Sequence, residues 1–175
     1  MSIHSEHPFT EPESERDPVR RLRGRLGGAV SLWTTGSASG RTPRTGLTVS
    51  SLLVAPGDPA RLLGLVDPDS DLFDAAAVTR TVAVQLLAWE HRDLAEVFAG
   101  VAPAPGGAFR TGTWQDSDWG PVLDGVGTWA GVRLDRPPQD VGWSMLLQGV
   151  VEHVQVGDDV APLVHRRGRY VRPRA

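Results

Sequence analysis

The segment Gly46-Leu47-Thr48-Val49-Ser50-Ser51 decides which fold this chain adopts. Aliphatic and hydroxyl side chains share it, and it continues to Val54 as one strand-like stretch over 46–54. The glycine at its start lets the backbone come close to a ligand, and the hydroxyl and amide groups could reach a phosphate or a polar ring edge. Half-buried hydroxyl side chains on an ordinary strand are the alternative explanation of the same pattern.

Alternation of apolar and polar residues, which is typical of half-buried strands, recurs on both sides of this segment. The other strand-like stretches are residues 30–35, 61–66, 81–87, 128–134, 143–156 and 163–165. The stretch 143–156 is long enough for one bent strand or for a pair of strands. Six or seven strands are therefore expected.

Short helical patterns lie between the strands. They cover residues 17–26, 71–78 and 90–98. Asp17-Pro18 is typical of a helix start, and Gly27-Gly28 ends the first helix. Because strands and helices do not alternate regularly, the sequence predicts a mainly β fold, a small antiparallel barrel with helices on its rim.

The length of 175 residues and the mass of 18.8 kDa fit one domain, which we place at residues 16–175. Residues 1–15 are acidic and polar and cannot bury much surface, so a flexible tail is expected there. The absence of cysteine excludes disulfides, thiolate metal sites and a thiol nucleophile. Since neither a long apolar run nor a signal peptide is found, no membrane association is expected and the expected compartment is the cytoplasm.

The formal net charge of −3 conceals a segregation of charge along the chain. Residues 26–165 carry eight Arg against sixteen acidic residues, which argues against a nucleic-acid-binding surface on the main body. All eighteen basic residues are Arg, which codon usage in a GC-rich genome explains, so arginine content alone does not indicate phosphate binding. The segment His165-Arg166-Arg167-Gly168-Arg169 could meet a phosphate or an acidic neighbouring subunit.

Several common catalytic arrangements are missing from the sequence. The five histidines show no paired spacing of metal ligands, so no metal site is expected. Ser50 and Ser51 lack the glycines of a nucleophile elbow, and the chain has neither a P-loop nor a Rossmann glycine motif. The carboxylate pairs at 116/118 and 158/159 lie in turn-like segments, where such side chains are usually solvated. No catalytic acid, base or nucleophile is identified.

The order in which certain segments follow one another is informative as a whole. These segments are residues 30–35, 46–51, 61–66, 82–87, 97–100 and 162–170, together with Ser70. Over roughly residues 17–172 this order resembles that of the flavin reductase-like family, with 46–51 as the most specific part. The resemblance implies an FMN-binding split barrel, usually a homodimer, that reduces FMN or FAD with NADH or NADPH and often supplies a two-component monooxygenase.

The resemblance also implies a set of flavin contacts. These are Thr35, Gly46, Leu47, Thr48, Val49, Ser50, Ser51, Ser70, Gln85 and Tyr170. Ser70 would face the phosphate, and Gln85 stands where the family commonly has Asn and could donate its amide to the flavin. Tyr170, with Arg169, would lie near the flavin or the other subunit, and an interface aromatic is its alternative role.

Two departures from the family pattern affect the site. At 142–144 the chain reads Gly-Trp-Ser where the family typically has Gly-Asp-His, whose histidine lies near the flavin and the nicotinamide. An imidazole donor is thus lost from the nicotinamide side, where Trp143 and Ser144 now stand, and Trp143 could stack on a ring or pack in the core. The acidic turn at 67–71 would repel a phosphate unless its carboxylates point outward or cap the next helix.

These features leave three functions open. The leading one is a flavin-dependent oxidoreductase with FMN or FAD as the flavin and a nicotinamide as the donor. The second is a non-catalytic flavin-binding module that serves as a sensor or carrier, which the missing Gly-Asp-His favours. The third is an enzyme with another electron donor, such as a deazaflavin. A second copy of the chain and a monooxygenase are the expected partners.

Overall fold

The structure, a computed structural model, describes residues 17–173. Its α-helices are α1 (Pro18–Leu26), α2 (Asp71–Thr79) and α3 (Arg92–Phe98), with single 3-10 turns at Trp89–His91 and Ala108–Arg110. Its strands are β1 (Gly28–Ala29), β2 (Ser31–Thr35), β3 (Thr45–Val49), β4 (Leu52–Ala55), β5 (Arg61–Val66), β6 (Thr81–Leu86), β7 (Trp114–Asp116), β8 (Pro121–Leu123), β9 (Trp129–Arg133), β10 (Gln139–Val141), β11 (Ser144–Gln155), β12 (Val164–Arg166) and β13 (Arg169–Val171). The predicted tail at residues 1–15 lies outside the described residues. Within residues 17–173, no helix has the length and apolar character needed to cross a bilayer.

The main sheet is antiparallel and has the strand order β3-β2-β6-β9-β11-β5-β4, with β10 paired to β11. Its two edge strands, β3 and β4, are separated in the chain by residues 50–51 alone. A sheet whose edges are joined by so short a link has to curl until those edges meet. The backbone N–H of Leu65 on β5 donates to the carbonyl oxygen of Ser51 at 3.0 Å and closes this junction. We call residues 50–51 the seam.

Two smaller sheets flank the main one. β7 pairs with β8, and the β12–β13 hairpin pairs with β1, so that Gly28 lies opposite His165. The turn of this hairpin also contacts α1, because the backbone N–H of Arg167 donates to the carbonyl oxygen of Gly24 at 2.8 Å. The C-terminal hairpin therefore meets the first helix of the described chain.

Side chains on the two faces of the sheet build two hydrophobic clusters. On β2, Trp33 packs into the first cluster and Leu32 into the second, since successive residues of a strand point to opposite faces. The first cluster includes Leu72 of α2, and the second includes Leu94 and Phe98 of α3. Helices α2 and α3 thus cover opposite faces of the sheet.

The prediction of a mainly antiparallel β fold with a few short helices is confirmed. The long stretch 143–156 is one strand, β11, whose register shifts between Val151 and His153. The prediction of a single strand over 46–54 is wrong, because the seam divides it into β3 and β4. The predicted helix at 90–98 starts instead as a 3-10 turn at Trp89–His91 and becomes α-helical in α3.

Candidate functional site

The seam carries polar groups that the fold leaves unused. Within the described residues, neither the backbone N–H groups nor the hydroxyls of Ser50 and Ser51 have a hydrogen-bond partner. Both residues are half-buried. A half-buried donor without a partner costs free energy unless water or a ligand satisfies it. The seam is therefore a candidate binding site.

A cleft of about 1290 Å³ opens beside the seam. Its lining comes from α1 and β1, the seam and β4, the middle of β5, the β10–β11 hairpin and the β12–β13 hairpin. Leu53, Leu65, Leu86 and Leu146 give it apolar walls. A concave site with apolar walls and a few convergent polar groups is the usual form of a small-molecule site.

The charged side chains around the cleft are of one sign. Arg20, Arg21 and Arg23 of α1 and Arg167 of the β12–β13 turn line it, and none of its described lining residues is Asp or Glu. The chain as a whole has a net charge of −3, so this positive charge is a local concentration. A concave surface with charge of one sign attracts ligands of the opposite sign. The cleft therefore suits an anionic ligand.

Helix α1 forms one wall of the cleft although none of its side chains is buried. Asp17 caps its start by accepting a hydrogen bond from the backbone N–H of Val19 at 3.3 Å, and Pro18 stands in the first turn, where its missing N–H does no harm. The hydrogen bond from Arg167 to Gly24 holds the helix against the β12–β13 turn. Two segments far apart in the sequence thus form a single wall.

His165 on β12 lines the cleft. Its partial burial lowers its pKa below the ordinary value of 6.5, and the positive charge of Arg23 lowers the pKa further. The edge of its ring contacts Tyr170, with the ring centroids 5.8 Å apart. A neutral imidazole at physiological pH offers one hydrogen-bond donor and one acceptor.

Three of the predicted flavin contacts use their polar groups inside the fold and do not line the cleft. Thr35 is fully buried, and its hydroxyl donates to the carbonyl oxygen of Thr81 at 2.8 Å. The hydroxyl of Thr48 donates to the carbonyl oxygen of Ala95 at 2.7 Å and so links β3 to α3. Gln85 is fully buried, with partners at both ends of its side-chain amide.

Four further predicted contacts also lie away from the cleft lining. A Cβ on Gly46 would lie 2.7 Å from the ring of Phe98, so close packing requires glycine there. Leu47 and Val49 pack in the first hydrophobic cluster. Ser70 caps α2 by accepting a hydrogen bond from a backbone N–H of its first turn at 3.3 Å. The structure thus brings Ser50 and Ser51 to the cleft and gives the surrounding residues of the motif packing and capping roles.

The remaining predicted residues lie on the two hairpins beside the cleft. Tyr170 packs in the second hydrophobic cluster beneath His165. Ser144 begins β11 and pairs with Val141, which lines the cleft. Trp143 is 89% exposed at the tip of the β10–β11 hairpin. The core-packing role considered for Trp143 is therefore wrong, because its side chain lies outside both hydrophobic clusters.

The α1 wall is the part of the site that the sequence did not reveal. The arginine-rich segment at 165–169 was one signal, since a phosphate was one of the two partners expected for it. The arginines of α1 gave no comparable signal, because a helix with several arginines is usually just solvated. Their importance follows from the contact between α1 and the β12–β13 turn, which joins residues more than 140 positions apart.

A family model described as "Flavin reductase like domain" matches residues 23–174, which include the seam and the β12–β13 wall. The chain belongs to the flavin reductase like family. This finding confirms the resemblance seen in the sequence. Together with the curled antiparallel sheet it also confirms the split-barrel fold.

Individual members of the flavin reductase like family show how far the similarity extends. A protein of Serratia proteamaculans named FMN reductase (NADH) RutF is 29% identical over 127 residues, which are 72% of this chain and 70% of that protein. The solved NADH:FAD oxidoreductase SgcE6 of Streptomyces globisporus has a TM-score of 0.79 at 21% identity, over 94% of this chain and 96% of its own. BorF, the flavin reductase component of a bacterial two-component tryptophan halogenase, has a TM-score of 0.75 at 20% identity, over 88% and 95%. At these identities the solved structures establish a shared fold.

The residues of the cleft fit the chemistry of a flavin. A flavin joins a flat ring with polar edge atoms to at least one phosphate. The unpaired donors of Ser50 and Ser51 match ring-edge acceptors, and the leucine walls match the ring faces. The arginines match the phosphate. The donor set of this family member is therefore suited to FMN or FAD.

Proposed function

We propose that this protein is a flavin reductase, which binds FMN in the cleft and reduces it with NADH or NADPH. FAD is the alternative flavin. The observation that carries the proposal is the pair of unpaired N–H groups at Ser50 and Ser51, beside a cleft with arginines and no described carboxylate. The names of two related proteins, an NADH-dependent FMN reductase and an NADH:FAD oxidoreductase, support these substrate classes.

The residues of the chain bind and orient in this proposal. The bound flavin supplies a ring that accepts a hydride. Ser50 and Ser51 donate to the polar edge of the ring, and Leu65 and Leu146 exclude water from its faces. Neutral His165 gives a further donor or acceptor at the C-terminal wall. Because hydride transfer depends on alignment more than on proton transfer, we assign no general acid or base.

We also propose that two copies of the chain associate around the cleft. Leu26 and Leu53 line the cleft and are nevertheless 75% and 72% exposed, and Val54 beside them is exposed on the edge strand β4. Contiguous apolar surface of this kind marks an interface. Light scattering is expected to give the mass of a dimer, and Leu53→Asp is expected to give a monomer. A wild-type monomer at micromolar concentration would contradict this part of the proposal.

A monooxygenase that takes up the reduced flavin is the further partner we propose. The support is BorF, which is the reductase component of a two-component system. Reduced flavin made by this protein should then sustain substrate oxidation by an added monooxygenase. If the reduced flavin diffuses freely, oxidation should continue when the two proteins are in separate compartments. If the proteins must touch, oxidation should occur only when they are mixed.

A non-catalytic flavin-binding module is the second candidate function. The observation that favours it is the β10–β11 hairpin, where the exposed Trp143 and the following Ser144 stand in place of the family's Asp and His. In this case the cleft would bind flavin and leave it oxidised in the presence of either nicotinamide.

One anaerobic experiment separates the two functions. The protein is mixed with FMN, and flavin absorbance is followed after adding NADH and then NADPH. Bleaching well above the rate without protein is the result expected of a reductase. Bound flavin that stays oxidised would support the binding module, and a protein that binds neither FMN nor FAD would refute both. The variant His165→Gln removes the imidazole but keeps a hydrogen-bonding side chain, so in the same experiment it tests whether the imidazole itself is needed.

A further inference from the structure

We propose that the acidic tail at residues 1–15 docks on the arginines of the α1 wall within its own chain and competes there with FMN. The docked tail lowers the affinity of the cleft for FMN, and salt releases it. This inference rests on the proposed function, because FMN is the ligand proposed for the same cleft. The tail itself lies outside the described residues.

The tail and the wall carry opposite charges. The tail has four glutamates and neither lysine nor arginine. The wall presents the guanidinium groups of Arg20, Arg21, Arg23 and Arg167, and none of them forms a salt bridge with a carboxylate of the described residues. Like charges on one wall repel one another unless an anion lies among them. The glutamates of the tail are anions that the chain itself supplies.

The start of α1 places the tail at the edge of the cleft. Asp17, which caps the helix, has a non-helical backbone with φ −41° and ψ 129°, as is usual for a residue that precedes proline. The chain therefore does not continue the helix axis backwards from this point. Arg20 and Arg21, in the first turn of α1, already line the cleft. The tail thus joins the helix next to two of the arginines it would bind.

The spacing of the glutamates suits an extended segment. Glu11, Glu13 and Glu15 stand at alternate positions, and in an extended chain such residues face one side at intervals of about 6–7 Å. Pro12 lies among them and disfavours a helix there. Arg20 and Arg23 stand three residues apart on one face of α1, about 4.5 Å along its axis. Long arginine side chains bridge the remaining difference, so a row of ion pairs can form along the wall.

The tail is also long enough to cover the wall. Helix α1 has nine residues and is about 14 Å long. An extended chain spans about 3.3 Å per residue, so residues 11–15 reach along the whole helix. The far end of α1 leads to the seam, because a Cβ on Gly28 would lie 2.7 Å from the carbonyl oxygen of Ser50. Phe9 would then meet the apolar wall at Leu53, whose side chain is 72% exposed.

Such a contact can be effective although each ion pair is weak. Exposed pairs of this kind contribute little individually. The tail, however, is tied to the wall within one chain, which gives it a high effective concentration. The apparent affinity for FMN then falls by the fraction of molecules whose wall is uncovered. Since salt screens exposed charges, the inhibition should disappear at high ionic strength.

The first test is the full-length variant Glu11→Gln/Glu13→Gln/Glu15→Gln. FMN affinity is measured by flavin fluorescence in about 0.02 M and about 0.5 M NaCl. At low salt we expect the variant to bind FMN about fivefold more tightly than the wild type, and at high salt the two should agree within about twofold.

The matched control is Asp118→Asn/Asp158→Asn/Asp159→Asn. It removes the same number of negative charges from exposed residues that do not line the cleft. Its FMN affinity should stay within about twofold of the wild type at both salt concentrations. An equal gain in both variants would mean that only the net charge matters, which would overturn the proposal.

The second test needs no flavin. Because the chain has no cysteine, Thr10→Cys gives a single attachment site for a nitroxide. We expect the nitroxide to broaden the amide signals of Ser50 and Ser51 in NMR spectra, relative to the same sample after reduction with ascorbate. The broadening should weaken when the three glutamines are introduced into the labelled chain, and also in about 0.5 M NaCl.

Three results would overturn the inference. Broadening that the glutamines and salt leave unchanged would mean that charge does not hold the tail on the wall. Broadening seen only when the nitroxide and the isotope label are on different chains would mean that the tail reaches a second copy. Unchanged FMN affinity in the glutamine variant would mean that the tail does not compete. If the wild type bound no flavin, the proposed function would fail, and the nitroxide experiment would still decide whether the tail docks.

Discussion

Two groups of polar side chains, one around Gln85 of β6 and one at the seam, differ in whether the fold uses them. Gln85 is fully buried, and its amide nitrogen donates to the hydroxyl of Thr34 at 3.1 Å while its oxygen accepts the N–H of Leu123 at 2.7 Å. Ser50 and Ser51 are half-buried and have donors without partners among the described residues. The first group completes the fold, and the second group remains free for a ligand.

The difference shows that hydroxyl and amide groups of this motif stay unpaired where the sheet is interrupted. On β3, Thr48 lies within the strand and bonds to α3. Two residues later the chain leaves β3 and crosses the seam, where no neighbouring strand takes up the backbone donors. The same chemical pattern is therefore used by the fold at Thr48 and left available at the seam.

The largest effect on stability should follow from removing the hydrogen bonds of the buried Gln85. Gln85→Leu leaves the Leu123 N–H without an acceptor and Thr34 without a donor, so we expect the free energy of unfolding to fall by about 3 kcal/mol. FMN affinity of the folded fraction should not change. Urea denaturation and fluorescence titration measure the two quantities. Gln155→Leu, which removes a single exposed hydrogen bond, is the control and should cost less than about 0.5 kcal/mol.

A somewhat smaller effect is expected where the two regions touch. A Cβ on Gly64 of β5 would lie 2.4 Å from the ring of Trp33 and 3.4 Å from the carbonyl oxygen of Ser51. Gly64→Ala should therefore lower the free energy of unfolding by about 2 kcal/mol, because β5 and Trp33 have to move apart. It should also weaken FMN binding, because Leu65 of β5 bonds to the seam. At Gly127 the nearest atom to an added Cβ is 3.5 Å away, so Gly127→Ala should leave FMN affinity unchanged. If Gly64→Ala kept full FMN affinity, packing in the core at Trp33 and FMN binding at the seam would be independent, and this prediction would be wrong.

Removing the seam hydroxyls should affect binding and spare stability. For Ser50→Ala/Ser51→Ala we expect about a tenfold loss of FMN affinity and a change in unfolding free energy below about 0.5 kcal/mol, because these hydroxyls have no partner among the described residues. Thr48→Val is the matched variant and should show the reverse. It loses the bond to Ala95, about 1 kcal/mol, and keeps FMN affinity. Equal losses of FMN affinity in both variants would contradict the comparison.

The smallest effect concerns pH and two histidines. Burial lowers the pKa of His165 in the cleft and of His91, whose Nδ1 accepts the backbone N–H of Ala88 at 3.0 Å. Since the unfolded chain then binds more protons than the folded one, stability is complete above the ordinary pKa of 6.5 and is lost as pH falls through that value toward the lowered pKa. Urea midpoints at about pH 7.5 and 5.5 measure this loss. His165→Gln and His91→Gln should each reduce this loss of stability. FMN should change the loss that remains in His91→Gln, which keeps His165 in the cleft, and should leave the loss that remains in His165→Gln unchanged.

The elements that the sequence predicted well are those whose strand-like pattern runs over five or six residues. The stretch 30–35 contains β2, which is buried on both faces, and 61–66 is β5, whose buried residues alternate. Strands of three residues, such as β7, β8 and β13, carry too few positions for a period to show. Their pairing depends on loops that meet only in the folded chain.

Only part of the candidate site could be predicted from the sequence, and the reason is related. Ser50 and Ser51 were among the expected contacts, but so were Thr48 and Gln85, whose side chains look equally available in the sequence. Their partners Ala95 and Leu123 are 47 and 38 residues away, and no local pattern reveals such pairs. Likewise Arg20 and Arg23 could be placed on a helix but not in a cleft, since the β12–β13 turn that completes their wall comes at the other end of the chain.

Helix α1 has no buried side chain and is tied to the hairpin turn through the carbonyl oxygen of Gly24. Local opening of such an element costs a small part of the free energy of global unfolding. Its amide hydrogens should therefore exchange with deuterium early, whereas those of β6, which is buried on both faces over four successive residues, should exchange last. A ligand that bridges the seam and α1 would slow exchange in the helix first, so the protection of its amides reports occupancy of the cleft.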